Sequence, residues 1–141
     1  MKTIPWQDRF KVGVPEIDIQ HQGLLNIVNQ LITSIENKTE WKTTSAIIDS
    51  LINYAYTHFA TEERYMLQGK YPGLLKHVEI HVDFIRKVFN MSQKIEQKDI
   101  VLQREILTFL ASWYTTHVLG MDREYIPYIT NKGKPKISDT Q

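Results

Sequence analysis

The 141-residue chain contains no cysteine. That single absence removes disulfides, thiolate zinc sites, iron–sulfur clusters and thiol nucleophiles from consideration. Excess charge of one sign is missing too: 17 lysines and arginines oppose 16 acids, so neither nucleic acid nor a membrane is an expected partner. No stretch approaches the roughly 18 apolar residues of a membrane span, and the opening MKTIPWQDRFKVG lacks the apolar run of a signal peptide. No serine stands in a recognisable nucleophile context, which leaves acyl transfer unsupported. Internal repeats, low-complexity linkers and strand patterns are also missing. The expectation is a soluble, cytoplasmic, all-α protein.

What is present is helical periodicity. Residues 1–15, with Pro5, Gly13 and Pro15, read as a non-helical arm carrying Trp6 and Phe10. Pro15, followed by acidic Glu16 and Asp18, opens a helix. Short breaks follow around Asn37-Lys38-Thr39, Gly69-Lys70-Tyr71-Pro72-Gly73 and Glu96-Gln97-Lys98, with a further break at Gly120. Asn37 and Gly69 suit C-caps, and Thr39 and Asp99 suit N-caps. The polar segment 131–141, NKGKPKISDTQ, reads as a frayed tail. Four helices of about twenty residues or more, joined by loops of a few residues, predict one domain over 1–141, an antiparallel up-down-up-down four-helix bundle.

The inward stripes, followed in steps of three and four, carry the chemistry. The first runs Ile17, His21, Leu24, Val28, Leu31, Ile35; the second Ile48, Leu51, Ala55, His58, Glu62, Tyr65. The third runs Leu74, His77, His81, Phe84, Val88, Met91, Ile95, and the fourth Leu102, Ile106, Leu110, Trp113, His117. All 5 histidines therefore lie on inward stripes. In an up-down bundle they also share one end: His21 and the His77–His81 pair come early in their helices, His58, Glu62 and His117 late. A lone inward histidine is usually a satisfied core residue. Five at one level, with a carboxylate among them, would strand several buried polar groups unless an ion sat between them. Asp122 stands five residues after His117, or 500° on a regular helix. On spacing alone it reads as an exposed acid of the run Asp122-Arg123-Glu124, unless Gly120 lets the helix bulge.

Five imidazoles and two carboxylates are too many ligands for one tetrahedral zinc and too nitrogen-rich for magnesium or calcium. Iron, manganese or zinc suit the mixture. If two ions share Glu62 and Asp122 as bridges, with one solvent-derived bridge, three imidazoles complete one ion. Two imidazoles leave the other with an open position, which suits a small terminal ligand. A histidine-rich site of this kind should rest more easily in the reduced state than a carboxylate-rich one.

At this point the spacing resembles the hemerythrin family in its single-domain bacterial form. The match runs through Trp6, Asp18-x-x-His21-x-x-Leu24, His58-Phe59-x-x-Glu62-Glu63, His77-x-x-x-His81 and Trp113-x-x-x-His117-x-x-x-x-Asp122. The step from His117 to Asp122 is the family's own, so the resemblance makes Asp122 a ligand. It implies two iron ions in an oxo- or hydroxo-bridged centre, with Glu62 and Asp122 bridging. His77, His81 and His117 would hold the complete iron, and His21 and His58 the iron with the open site. It further implies reversible dioxygen binding there, the oxygen held as hydroperoxide, with small anions binding in the diferric state. Leu24, Phe59, Trp113 and Val118 would line an oxygen pocket. Tyr114 departs from the leucine usual in the family: pointing inward it would meet the bound ligand or admit water, and pointing outward it would be an inert surface aromatic.

The resulting expectation is an oxygen carrier for storage, delivery or buffering rather than an enzyme, working beside an oxygen-consuming partner protein. The competing readings are an oxygen or redox sensor acting through a partner and a di-iron redox enzyme of peroxidase or nitric oxide reductase type. Tyr114 is the one general acid the sequence offers near the open site.

Overall fold

A computed structural model describes residues 3–94 and 100–130. Among them no strand occurs. Helix α1 spans Pro15–Glu36, α2 Trp41–Gln68, α3 Leu74–Ser92 and α4 Ile100–Thr116. A π-helical turn over His117–Met121 continues α4 into two short helices, α5 (Asp122–Glu124) and α6 (Ile126–Ile129). Each long helix packs on its sequence neighbour, and α4 closes the ring against α1, as an up-down-up-down bundle requires. No helix of the described residues is long and apolar enough to cross a membrane.

The stripes fold inward with small corrections. All six stripe residues of α1 are buried, as are Ile48, Leu51, Ala55, His58 and Glu62 of α2. One turn beyond Glu62 the chain buries Met66 and leaves the expected Tyr65 half-exposed, because the step of four stays closer to the inward face than the step of three, which falls short of a full turn. In α3, His77, His81, Phe84 and Val88 are buried while Leu74 and Met91 are half-buried. In α4, Ile106, Leu110 and His117 are buried and Trp113 is half-buried; Leu107, Tyr114 and Val118 widen the stripe. Ile95, Asp99, the break at 96–98, the side chain of Leu102 and the segment 131–141 lie outside the described residues. Full burial of side chains such as Leu31 and Leu51 contributes about 1.5–3 kcal/mol each, the main source of stability in a bundle.

The loops follow one device used twice. Asn37 and Gly69 are the C-caps of α1 and α2. The left-handed residue that reverses the chain is the next one in each case, Lys38 at φ 53° and Lys70 at φ 56°. Thr39 N donates to Ser34 O at 3.1 Å and Tyr71 N to Met66 O at 2.9 Å, satisfying carbonyls the helices leave open. Thr39 does not cap α2. Glu40 holds the N-cap position without a side-chain bond, and the Thr39 hydroxyl joins Ser34 and Thr44 in a polar knot between the helices.

The arm runs from the main core, where Ile4, Trp6 and Phe10 pack, to the bundle's end, and a 3-10 turn over Asp8–Phe10 interrupts the expected non-helical run. Asp18, expected only to favour the helix start, turns back to accept from Val12 N at 2.6 Å and Gly13 N at 3.2 Å, where Gly13 takes φ 92°. Asn29 clasps the backbone of Ile4 from both sides, and Arg123 donates to the carbonyls of Arg9 and Lys11. Val12 and Val14 thereby join Ile17, Met66 and Tyr125 in a small apolar plug, separate from the main core.

Adjacent residues at the end of α2 should respond oppositely to substitution. A methyl on Gly69 would lie 2.2 Å from the backbone oxygen of Tyr128, which cannot swing aside as a side chain would. Gly69→Ala is expected to cost about 1–3 kcal/mol. Lys70→Gly relieves a left-handed lysine and is expected to stabilise by about 1 kcal/mol. Paired thermal melts check both, and shifts of one sign for the two variants would contradict this account of the turn.

Candidate metal centre

The expected ligands sit between the main core and the plug. Ile17, Met66 and Tyr125 each follow or precede a ligand by about one turn, so the same stripes that build the two clusters carry the site. His21, His58, Glu62, His77, His81, His117 and Asp122 are all at most 2% exposed. Asp122 is at 0%, so the exposed acid suggested by its spacing is wrong. The cause is the π-helical turn over His117–Met121, whose extra residue per turn brings the fifth residue back onto the face of the first. The helix does not break at Gly120. A methyl there would meet nothing within 4 Å, and Gly120 has no positive φ, so the bulge does not depend on glycine.

Donor atoms converge in two sets. Glu62, His77, His81, His117 and Asp122 offer atoms all within 4.8 Å of one another, and so do His21, His58, Glu62 and Asp122. Both carboxylates belong to both sets. Asp122 divides its oxygens: Oδ1 lies 3.0 Å from His77 Nε2 and 2.9 Å from His117 Nε2, while Oδ2 lies 3.0 Å from His21 Nε2. Glu62 Oε1 faces one histidine of each set, His58 Nε2 at 2.9 Å and His81 Nε2 at 3.6 Å. Its Oε2 lies 3.7 Å from His21 Nε2 and accepts from the Tyr125 hydroxyl at 2.5 Å.

For His58 and His81 the outer contacts show that the inner nitrogen is bare. Thr61 Oγ1 donates to Thr57 O and accepts from Gln20 Nε2 at 3.1 Å, which turns Gln20 Oε1 toward His58 Nδ1 at 2.8 Å. His58 Nδ1 must then carry the proton, leaving Nε2 a lone pair aimed at a carboxylate. His81 Nδ1 likewise donates to Glu63 Oε2 at 2.9 Å. His117 Nε2 faces the Nε2 atoms of His77 at 3.2 Å and His81 at 3.1 Å. Nitrogens that share one ion at about 2.1 Å stand about 3.0–3.4 Å apart, so this spacing suits common ligation. Despite the short distances, His21 Nε2, Glu62 Oε1 and both oxygens of Asp122 have no hydrogen-bond partner among the described residues. Buried atoms that aim at a common point and bond to nothing fit a pair of cations.

With protons in the cage in place of ions, the carboxylates dominate. Burial would lower His21, but Asp122 and Glu62 beside it raise it from 6.5 to about 10. Burial and then Asp122 would raise Glu62, yet His58 and His21 hold it well below the usual range; Asp122 is held low against burial by His117, His21 and His77. His81 falls to about 3, chiefly through burial and against the pull of Glu62, with His117 and His77 adding to the fall.

The walls are mostly apolar. Phe59 stacks flat on His81, centroids 3.8 Å apart, and Trp113 stacks on His117 at 4.3 Å. Both aromatics therefore lie against the three-histidine set, with Phe59 also tilted toward His58 at 5.9 Å. Leu24, Tyr114 and Val118 are buried in the main core. Tyr114 is no surface aromatic: it is 1% exposed, packs edge-on to Phe10, and donates its hydroxyl to His21 O at 3.0 Å. Residues that stripe reading missed are Gln20, Tyr125 and the outward role of Glu63. Glu63 and Gln20 neighbour ligands off the inward face. Tyr125, one turn past Asp122, is detectable only once the π turn is known.

The hemerythrin HHE cation binding domain matches residues 12–129. The chain belongs to the hemerythrin family. Among its relatives, bacteriohemerythrin of Clostridium acetobutylicum is 34% identical over 126 residues, covering 86% of this chain and 97% of that protein. Myohemerythrin of Riftia pachyptila is 28% identical, covering 85% and 88%. A crystal structure of a hemerythrin mutant superposes with a TM-score of 0.78 at 22% identity, covering 92% of this chain and 98% of that one, and shares the fold. Hemerythrins hold a di-iron centre, and the two overlapping donor sets suit one.

Metal binding at neutral pH must expel the proton His21 would otherwise keep, so affinity should rise with pH. Calorimetric titration of zinc into the metal-free protein, in buffers of different ionisation enthalpy, is expected to report release of about one proton or more per chain. Zero release would contradict the electrostatics. Because folding raises His21, its contribution to the metal-free fold is complete below about 6.5 and disappears as pH climbs through about 10. Metal-free protein should therefore lose stability across that alkaline window.

Proposed function

We propose that this hemerythrin-family chain binds dioxygen reversibly at a pair of iron ions, serving oxygen storage, delivery or buffering. The observation that carries the reading is the unequal division of donors: three imidazoles in one set, two in the other, and two carboxylates common to both. Two ferrous ions supply the two electrons that dioxygen needs in order to be held. In this reading Glu62 and Asp122 would be shared by the two ions, His77, His81 and His117 would hold one, and His21 and His58 would hold the other with room for a small ligand.

The chain's own part is to orient, exclude water and withhold protons. Gln20 and Glu63 fix the tautomers of His58 and His81 so that neutral nitrogens face inward. Tyr125 restrains the free swing of Glu62. Leu24, Phe59, Trp113, Tyr114 and Val118 are the pocket walls in this proposal, and their apolar surfaces keep water and anions from a ferrous pair. Two hydroxyls approach the site, and each is engaged: Tyr114 gives its proton to the His21 carbonyl, Tyr125 to Glu62. A general acid free to protonate bound oxygen is thus missing among the described residues, which favours carriage over peroxidase-like chemistry. Small anions would compete for the open position in the oxidised protein. A cytoplasmic setting and an oxygen-consuming partner belong to the same reading.

Purified protein is expected to retain two irons per chain by elemental analysis, and Asp122→Ala at most one. Anaerobically reduced protein should develop visible absorption on exposure to oxygen and lose it on degassing. Prompt, irreversible oxidation would overturn the carrier reading.

A further inference from the structure

The histidines of the two donor sets are supported differently from outside. In the two-histidine set, the proton of His58 Nδ1 rests on a neutral amide, Gln20 Oε1 at 2.8 Å. In the three-histidine set, the proton of His81 Nδ1 rests on a carboxylate, Glu63 Oε2 at 2.9 Å. His21 Nδ1 and His117 Nδ1 have no such partner among the described residues. Apart from Glu62 and Asp122, Glu63 is the one acid within 4.0 Å of an imidazole nitrogen among the described residues. It lies in a concavity of about 660 Å³ between α2 and α3, walled mostly by apolar side chains such as Ile52, Phe59, Val82 and Phe89, with Arg86 the cation on its lining. An acid 31% exposed in a mostly apolar concavity is screened less by water and salt than one on an open surface.

A carboxylate accepting an imidazole proton draws that proton outward and makes the inner nitrogen a stronger donor; an amide does so weakly. The amide is held to its weaker role by the relay Gln20–Thr61–Thr57, which pins its oxygen toward the ring. We propose that Glu63 and Gln20 are positioning residues that make the two metal positions electronically unequal. Glu63 favours the more highly charged ion at the three-histidine position, and Gln20 leaves the two-histidine position electron-poor and ready to exchange its terminal ligand. This rests on the di-iron reading above and adds the assignment of redox poise to two residues that touch no metal.

The test is a reciprocal charge exchange. Glu63→Gln keeps the shape and an accepting oxygen while removing the charge; Gln20→Glu adds the charge on the other side. In the iron-loaded protein, Glu63→Gln is expected to raise the midpoint potential and slow oxidation in air. Gln20→Glu is expected to lower the potential. Chelator challenge of the cobalt(II)-loaded protein gives a readout independent of redox activity: cobalt release should accelerate about tenfold in Glu63→Gln and slow in Gln20→Glu. A merely structural role would move both variants the same way. Equal-sign shifts, or potentials unchanged in two variants that each hold two irons, would overturn the inference and leave the di-iron reading intact. A wild-type chain holding one iron would sink both. If Glu63→Gln fails to fold by circular dichroism, Gln20→Glu still decides: an unchanged or raised potential in that variant overturns the inference.

Discussion

Everything at one end of this bundle answers to two buried carboxylates. Glu62 and Asp122 are at 0% exposure and, among the described residues, form ion pairs with no lysine or arginine, and an ionised acid in that position requires compensating positive charge. Five imidazoles surround them, but those whose tautomers can be traced, His58 and His81, present bare nitrogens inward. Neutral imidazoles cannot neutralise two acids. Either protons enter, as the raised His21 reflects, or cations do. The site is therefore a pair of competing occupancies for one electrostatic deficit, which makes metal loading, proton release and fold stability facets of one equilibrium.

The rest of the fold keeps that deficit dry. The main core lies on one side of the ligands and the plug of Val12, Val14, Ile17, Met66 and Tyr125 on the other. The plug needs the arm, and the arm is held by polar clamps on Asp18, Asn29 and Arg123. Arg123 adjoins Asp122 in sequence, so the clasp on the arm and one acid common to both donor sets share a single helical turn. The knot of Ser34, Thr39 and Thr44 tightens the opposite end, far from the chemistry.

The aromatic walls are unevenly spread, and this refines the functional picture. Phe59 and Trp113 lie flat on His81 and His117, stiffening the set that already has three imidazoles. The two-histidine set is bordered by Tyr114, whose hydroxyl is spent on the carbonyl of His21. That bond ties α4 to α1 at the ligand itself. A polar group in the wall is thereby rendered quiet, since donating to anything else would first cost it the bond to His21. Rigidity on one side and a satisfied hydroxyl on the other distinguish the two donor sets.

Sequence by itself determined the bundle, the first two loops, most of the inward stripes and the gathering of His21, His58, Glu62, His77, His81 and His117 at one end. These follow from the 3.6-residue period and from short loops, both of which are local. The place of Asp122 was not local. Five residues after His117 points away from the axis on a regular helix, and only the resemblance to a known family drew it inward. The structure supplies the physical cause, a π-helical turn that packing around the site imposes and that no residue at the turn announces, Gly120 included. Met66 replacing Tyr65, the capture of Asp18 by the arm, and the outer contacts of Gln20, Glu63 and Tyr125 were likewise decided in three dimensions. Each depends on which side chain of a distant segment comes within 3 Å or so. Periodicity reports a face, and only tertiary packing fixes what that face meets.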